Sequence, residues 1–194
     1  MVAKRRLTRQ AGRVIRPWPT ISSQFLADYR VFRVRRDRKQ SPRTGQMHEF
    51  YVLECPSWVN VIALTPEQQV ILVEQYRQGT DTVELEIPGG VMDPGDSSPV
   101  ATARRELIEE TGYEGQNARV ISAIAPNPAI MNNTAYTVLI ENCRLKRAVQ
   151  FDHSEDVLTR LAPVAELPAL VAAGEIRHSL IIAALYRYEL LRKR

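Results

Sequence analysis

The sequence has few cysteines and no long hydrophobic run, and both shortages exclude whole classes of protein. Its two cysteines, Cys55 and Cys143, lie far apart and form no Cys-x-x-Cys pair, which argues against a disulfide framework and a zinc site. The most apolar stretch, residues 179–186, is less than half of the ~18 residues that suggest a membrane-spanning helix. The Arg-rich first sixteen residues lack the apolar core of a secretory signal. We therefore expect free thiols, no membrane association and a cytoplasmic location.

Charge is distributed unevenly along the 194 residues. Residues 1–47 contain 13 Lys and Arg against 2 Asp and Glu, whereas acidic residues outnumber basic ones in the rest of the chain. A basic segment ahead of an acidic body predicts a partner that bears phosphate, with the acidic part holding metal. The alternative for the basic segment is a solubilising tail.

The hydrophobic pattern predicts many strands and three helices. Two β-rich runs, 59–64 and 70–76, are joined by a short polar turn, which predicts a β-hairpin. Further strands are expected at 49–55, 83–87, 119–124, 135–141 and 157–163, with a weaker one at 28–35. Helices are expected at 99–111, 164–173 and 176–191. Strands and helices that do not strictly alternate indicate an α+β fold, and the length fits one ordinary domain with a small extension.

A strand, a glycine-rich loop and a helix follow one another between residues 86 and 113. Ser97 or Ser98 can cap the start of this helix, and Pro99 suits its first position. Gly112 suits the left-handed residue that ends a helix. The local sequence therefore predicts both ends of the helix.

Three carboxylates, those of Glu106, Glu109 and Glu110, lie on this helix. Residues three and four apart on a helix are neighbours at roughly 6 Å, so these side chains crowd together and repel one another. Arg105 can neutralise one of them, but it points about 100° around the helix from Glu106. Clustered hard oxygen ligands suit Mg²⁺ or Mn²⁺, and a main-chain carbonyl of the nearby Gly89-Gly90 can join them. The alternative is an exposed acidic helix face.

The segment resembles the Nudix box, whose pattern is Gly, five residues, Glu, seven residues, Arg-Glu, an apolar residue, any residue, Glu-Glu, any residue, Gly and an apolar residue. Eight positions match in order: Gly90, Arg105, Glu106, Leu107, Glu109, Glu110, Gly112 and Tyr113. Two features depart from the pattern, because Asp96 replaces the first Glu and eight residues separate it from Arg105. In the family this Glu mainly pairs with the box Arg. The departures therefore bear on the geometry of the loop more than on metal binding.

The flanking residues resemble the ADP-ribose pyrophosphatase branch of this family. Members place an Arg and a Glu ahead of the box near the substrate, and Arg77 and Glu86 match these positions. Pro128 matches a proline that follows the box, and Glu155 matches a catalytic Glu in a mobile acidic loop. Members also form dimers in which an N-terminal sheet helps to enclose the nucleotide, a role that residues 28–54 can fill.

The resemblance implies a division of the chain into three parts. Residues 1–20 are expected to form an irregular basic tail, and residues 21–56 a β extension that serves as a dimer element. Residues 57–194 are expected to form the Nudix hydrolase domain, a mixed-sheet α/β/α sandwich.

The implied reaction is the metal-dependent hydrolysis of a nucleoside diphosphate linked to another moiety, here ADP-ribose to AMP and ribose 5-phosphate. The metal, Mg²⁺ or Mn²⁺, is assigned to the carboxylates of Glu106, Glu109 and Glu110 and to the carbonyl of Gly89. The base that activates water is assigned first to Glu155 and second to Glu109.

Alternatives accompany these assignments. Arg77, which would bind phosphate or the terminal ribose, can instead form a structural ion pair with Glu86, and Glu155 can simply be solvated. Trp18 or Tyr29 can stack on adenine, although an aromatic residue beside an apolar run more often packs in a core. The substrate can also be a GDP- or UDP-hexose. A non-catalytic protein that binds nucleotide or RNA is less favoured, because the box carboxylates are retained, and nucleic acid is therefore not the expected partner.

Overall fold

A computed structural model describes residues 14–149 and 156–193. The chain forms two compact units, which divide between Leu53 and Glu54. The first unit contains a three-stranded sheet in the order β1-β2-β3, made of Thr20–Asp28, Arg33–Gln40 and Met47–Glu54. β1 and β2 are antiparallel.

The weak strand predicted at 28–35 is wrong in its position, because those residues span the turn between β1 and β2. Arg30 has a φ of 67°, and its backbone N–H donates to the Asp28 carboxylate at 2.9 Å. Such an Asp side chain stabilises a tight turn. The change of alternation within the predicted strand is the place where the chain reverses.

Within its described residues, the second unit holds two further sheets and three helices. Its strands are β4 Trp58–Ala63, β5 Gln69–Arg77, β6 Thr82–Glu86, β7 Gly89–Val91, β8 Tyr113–Ile124, β9 Ala135–Leu145 and β10 Val157–Pro163. Its helices are α1 Pro99–Thr111, α2 Leu167–Ala172, which follows a 3₁₀ turn at Val164–Glu166, and α3 Ser179–Arg192. One sheet has the order β7-β4-β9-β8, with β4 and β9 parallel, and the other has the order β10-β5-β6. Among the described residues, no helix is long and apolar enough to cross a membrane.

The predicted hairpin at 59–76 is wrong, because β4 and β5 lie in different sheets. A single bridge between Leu64 and Val70 links the two segments before they diverge. Both strands contain continuous buried runs, Val59–Ala63 and Val70–Val73. Such runs are typical of strands that are covered on both faces, and this burial rather than the turn decides where each strand lies.

The core lies on both sides of the sheets. One buried cluster joins β4 to α1 and includes Val59, Val61, Ala103 and Leu107. Another joins Ile62 of β4, and Leu64 just after that strand, to Ile181 and Leu185 of α3. With one helix on each side of the mixed sheet, the unit is an α/β/α sandwich, as the sequence predicts.

Candidate active site

The helix α1 begins and ends where local chemistry requires. The Ser98 hydroxyl accepts a hydrogen bond from the backbone N–H of Ala101 at 3.2 Å, and Pro99 occupies the first turn. Gly112 has a φ of 73°, and its N–H donates to the carbonyl of Ile108 at 3.0 Å. The predicted bounds of this helix are confirmed to the residue, which fixes the register of its carboxylates.

Two glycines let the backbone of β7 lie directly against α1. The N–H of Gly89 donates to Oε2 of Glu110 at 3.0 Å. A Cβ on Gly89 would overlap the carbonyl oxygen of Val59, and a Cβ on Gly90 would overlap the carboxylate of Glu106. Glycine is therefore required at both positions, and the glycine pair brings the main chain to two of the three predicted carboxylates.

The Arg105 guanidinium lies among four carboxylates, a group that we call the shared network. Its nitrogens approach Asp93 at 3.4 Å, Asp96 at 3.0 Å, Glu106 at 2.9 Å and Glu109 at 3.0 Å. The expectation that Arg105 points away from Glu106 is thus wrong, because the long side chain folds back over the helix. Within the described part of the chain, these contacts set one positive charge against four negative ones, so this group of side chains carries an excess of negative charge.

Asp96 keeps the pairing with Arg105 despite both departures from the box pattern. Its carboxylate accepts hydrogen bonds from Nη2 of Arg105 at 3.0 Å, from the Thr102 hydroxyl at 2.9 Å and from the N–H of Asp93 at 3.0 Å. Hydrogen bonding to Arg105, ahead of the other two donors, lowers the pKa of Asp96 to about 2. Asp96 is therefore ionised at neutral pH.

Arg77 and Glu86 form the ion pair that the sequence leaves as an alternative. Nε and Nη2 of Arg77 donate to the two oxygens of Glu86 at 3.0 and 2.7 Å. Glu86 is only 2% exposed. The bond to Glu86 raises the pKa of Arg77 above its usual value, burial opposes this rise, and the charges of Glu110 and Glu84 support it. Arg77 therefore lies in the field of Glu110, a predicted metal ligand.

Sequence reasoning missed a second ion pair, between Glu84 and Arg177. Glu84 lies on β6, the strand that also holds Glu86. Nε of Arg177 donates to Oε2 of Glu84 at 2.8 Å, and the hydroxyls of Thr80 and Thr82 also donate to this carboxylate. Arg177, followed by Thr82, lowers the pKa of Glu84 to about 2. We call the Arg77–Glu86 and Arg177–Glu84 pairs together the paired network. Two acidic residues within one short predicted strand were the available signal, because a buried carboxylate needs a partner.

The described contacts of two other predicted residues, Pro128 and Trp18, are local ones. Pro128 is exposed in a turn closed by the N–H of Met131, which donates to the carbonyl of Asn127 at 2.8 Å. Glu155 lies outside the described residues. In the first unit, Trp18 packs edge-on against His48 and Phe50, with ring centroids 5.3 and 5.5 Å away. This aromatic packing corresponds to the alternative that the sequence analysis gave for Trp18, in place of stacking on adenine.

The described residues suit a divalent cation without forming a complete cage for it. No group of three His, Cys, Asp or Glu side chains in the described part of the chain converges closely enough to hold a metal ion. Mg²⁺ usually takes one or two carboxylates, several waters and substrate phosphates rather than an all-protein cage. Glu106 and Glu110, one turn apart against the glycine pair, supply such hard oxygens. The donor set therefore fits the predicted ion.

Comparisons with known proteins agree with this geometry. A model of the NUDIX domain matches residues 56–185. The methanol dehydrogenase activator of Bacillus methanolicus is 32% identical over 139 residues, which cover 71% of this chain and 74% of that protein. The ADP-ribose pyrophosphatase of Mycobacterium tuberculosis is 30% identical over 165 residues, 84% of this chain and 79% of that protein. A crystal structure of an ADP compounds hydrolase shares the fold, with a TM-score of 0.82 at 19% identity over 94% of this chain and 97% of that one.

The matched segment contains both sheets of the second unit, the glycine pair and the whole of α1. The predicted fold class and the resemblance to the ADP-ribose pyrophosphatase branch are thereby confirmed. With its box carboxylates arranged around Arg105 and the glycine pair, the chain belongs to the Nudix family.

Proposed function

We propose that this chain is a divalent-metal-dependent pyrophosphohydrolase that cleaves ADP-ribose to AMP and ribose 5-phosphate. The observation that carries the proposal is the placement of Glu106 and Glu110 against the glycine pair, with Arg77 in the field of Glu110. Carboxylates suit a divalent ion and a guanidinium suits a phosphate, so the two kinds of group together suit a ligand that brings metal and diphosphate.

Enzymes of the Nudix family generally use a divalent metal, and we propose Mg²⁺, with Mn²⁺ as a substitute. Glu106 and Glu110 would hold it, assisted by Glu109 and the carbonyl of Gly89. When bound, the ion would polarise the diphosphate and neutralise charge that grows on its oxygens. The excess negative charge of the shared network favours this cation over further arginine pairing.

The chain's own residues would orient the substrate and the water. Arg77, held at two nitrogens by Glu86, presents a fixed guanidinium to a phosphate or to the distal ribose. Glu155 would accept the proton of the attacking water, with Glu109 as the second choice. Glu109 is accessible for that task, since its side chain is 45% exposed.

ADP-ribose is proposed as substrate because a relative that aligns over most of this chain is named ADP-ribose pyrophosphatase. The runner-up is another nucleotide sugar, such as a GDP- or UDP-hexose. Selectivity among these depends on contacts to base and sugar that Arg77 alone does not provide.

The test is hydrolysis of ADP-ribose, GDP-mannose and UDP-glucose with and without Mg²⁺, using the natural chain and Glu110→Gln. Glutamine retains an oxygen that can accept the Gly89 N–H bond, so the variant is expected to fold. We expect ADP-ribose to give the highest kcat/KM, and Glu110→Gln to lower that value by about 100-fold or more, a loss typical of removing one electrostatic contact from an active site.

Glu189→Gln is the matched control, because it removes a helical carboxylate paired with Arg192 on α3, across the sheet from α1. This variant should keep the natural kcat/KM. Equal turnover by Glu110→Gln and the natural chain would remove this carboxylate from the reaction. Faster cleavage of a hexose derivative would assign the enzyme to the runner-up class.

We also propose that the enzyme is a homodimer in which residues 21–56 form the dimer element. Large apolar side chains of the N-terminal sheet, including Ile21, Phe25 and Tyr51, are more than half exposed within one chain, and such exposure favours a protein interface. Sedimentation equilibrium would check the mass. A cytoplasmic location is proposed from the two free thiols, Cys55 and Cys143.

A further inference from the structure

Thr102 is a fully buried polar residue on the face of α1 next to the glycine-rich loop. Its side chain has 0% exposure. Its hydroxyl donates to Oδ2 of Asp96 at 2.9 Å, and the carbonyl of Ser98 is a second acceptor at 3.3 Å. A hydroxyl has one proton, and the shorter contact to an ionised acceptor is the stronger one. The Thr102 hydroxyl therefore donates its proton mainly to Asp96 rather than to the carbonyl of its own helix.

The hydrogen bond from Thr102 matters for the position of Asp96, because Asp96 is a short carboxylate in a lengthened loop. The loop has one residue more than the box pattern, and Asp has one methylene fewer than the Glu of that pattern. The preceding residues Asp93, Pro94 and Gly95 are exposed. For this exposed loop, Thr102 is a donor supplied by the helix α1, whereas the N–H of Asp93 is a donor supplied by the loop itself.

The position of Asp96 decides which edge of Arg105 is left for the other carboxylates. Asp96 accepts from Nη2 and Nε of Arg105 at 3.0 and 3.5 Å. Glu106 and Glu109 both approach Nη1, at 2.9 and 3.0 Å. If Asp96 moved away, Arg105 would be able to turn its two-nitrogen edge toward Glu106 or Glu109, which is the stronger bidentate arrangement. A firmer arginine pair would compete with a metal for the same oxygens.

We propose that Thr102 is a positioning residue, whose hydroxyl fixes Asp96 against Arg105 and so keeps Arg105 from capturing Glu106 and Glu109. Thr102 thereby compensates for the short carboxylate and the extra loop residue. The inference rests on the proposed function only in taking these carboxylates as metal ligands. Its contribution to the fold of the loop is independent of any reaction.

The first test uses the metal-free protein and the variants Thr102→Val and Thr102→Ser. Valine keeps the shape of threonine without the hydroxyl, and serine keeps the hydroxyl. In Thr102→Val, hydrogen exchange of the Asp93 amide should speed up by about fivefold, in line with the loss of one net hydrogen bond. Exchange in the buried strand β9 should be unchanged, and Thr102→Ser should resemble the natural chain.

The second test measures Mn²⁺ binding by electron paramagnetic resonance, without substrate. Thr102→Val should raise the dissociation constant several-fold, and Thr102→Ser should restore it. Asp96→Asn, which removes the charge from a partly exposed loop residue, should raise it as well. This variant keeps the test decisive if Thr102→Val does not fold.

Thr111→Val is the matched control, since Thr111 is a second buried threonine on α1, and its hydroxyl donates to the carbonyl of Leu107. It should lower stability without loosening the loop. The inference is overturned if Thr102→Val leaves both exchange and Mn²⁺ binding unchanged, or if Thr102→Ser loses as much as Thr102→Val. A loosened loop and weakened Mn²⁺ binding in a protein that cleaves no diphosphate would instead sustain this inference and reject the proposed function.

Discussion

The shared network and the paired network place guanidinium and carboxylate groups in opposite ways. In the paired network, Glu84 and Glu86 are 5% and 2% exposed, and each has an arginine of its own. In the shared network, one guanidinium faces four carboxylates, of which Asp96 and Glu106 are 12% exposed, Glu109 is 45% exposed and Asp93 is 64% exposed. The two networks thus differ in both burial and charge balance.

Desolvation explains why the two arrangements differ. A buried carboxylate that lacks a partner is costly, so each buried acidic residue of β6 has a cation as its partner. Carboxylates near solvent tolerate an excess of negative charge, because water screens their repulsion. We therefore expect the paired network to stay fixed, and the shared network to exchange its single arginine for a metal.

The largest effect is expected from breaking the more buried pair with Arg77→Met. This change leaves the charge of Glu86 uncompensated at 2% exposure, which should cost about 3–5 kcal/mol of unfolding free energy. Urea denaturation at neutral pH measures the loss as a lower midpoint with an unchanged slope. The double variant Arg77→Met with Glu86→Leu should recover most of it, because no buried charge is then left behind. A loss below about 1 kcal/mol in the single variant would show that the pair is not fixed.

A smaller effect is expected from Arg177→Met, because Thr80 and Thr82 still donate to Glu84. This variant also carries a pH signature. The pKa of Glu84 is about 2 in the folded chain and 4.5 ordinarily, so its stabilisation is fully present above pH 4.5 and is lost as the pH falls toward 2. The difference in unfolding free energy between the natural chain and Arg177→Met should therefore be constant above pH 4.5 and shrink below it. A difference that stays constant down to pH 2 would contradict the role of Arg177.

Local chemistry made α1 predictable, and distant pairing made the strands less so. The cap at Ser98, Pro99 and the stop at Gly112 define the helix from adjacent residues alone. β1 was missed because its place depends on pairing with β2. The turn after β4 could be predicted from the sequence. The placement of β4 and β5 in different sheets could not, because it depends on the helices that cover both strands.

The same division applies to the site. The spacing of the box predicted the carboxylates of α1, and resemblance supplied Arg77 and Glu86. Arg177 was not found because it meets Glu84 across 93 residues of sequence. Nor did the sequence reveal that Arg105 folds back over Glu106, since the direction of a long side chain follows from the charges that surround it.

The smallest change in stability is expected from Arg105→Met. This variant directly tests whether a metal ion can replace Arg105 as the partner of the carboxylates in the shared network. Because the partners of Arg105 range from 12% to 64% exposed, its loss should cost about 1 kcal/mol in metal-free buffer. Mg²⁺ should then raise the melting temperature of Arg105→Met more than that of the natural chain, since the freed carboxylates bind the ion without competition. NaCl at matched ionic strength separates this binding from general screening. If Mg²⁺ stabilised both proteins equally, Arg105 and the metal would not share ligands, and both networks would have to be regarded as fixed.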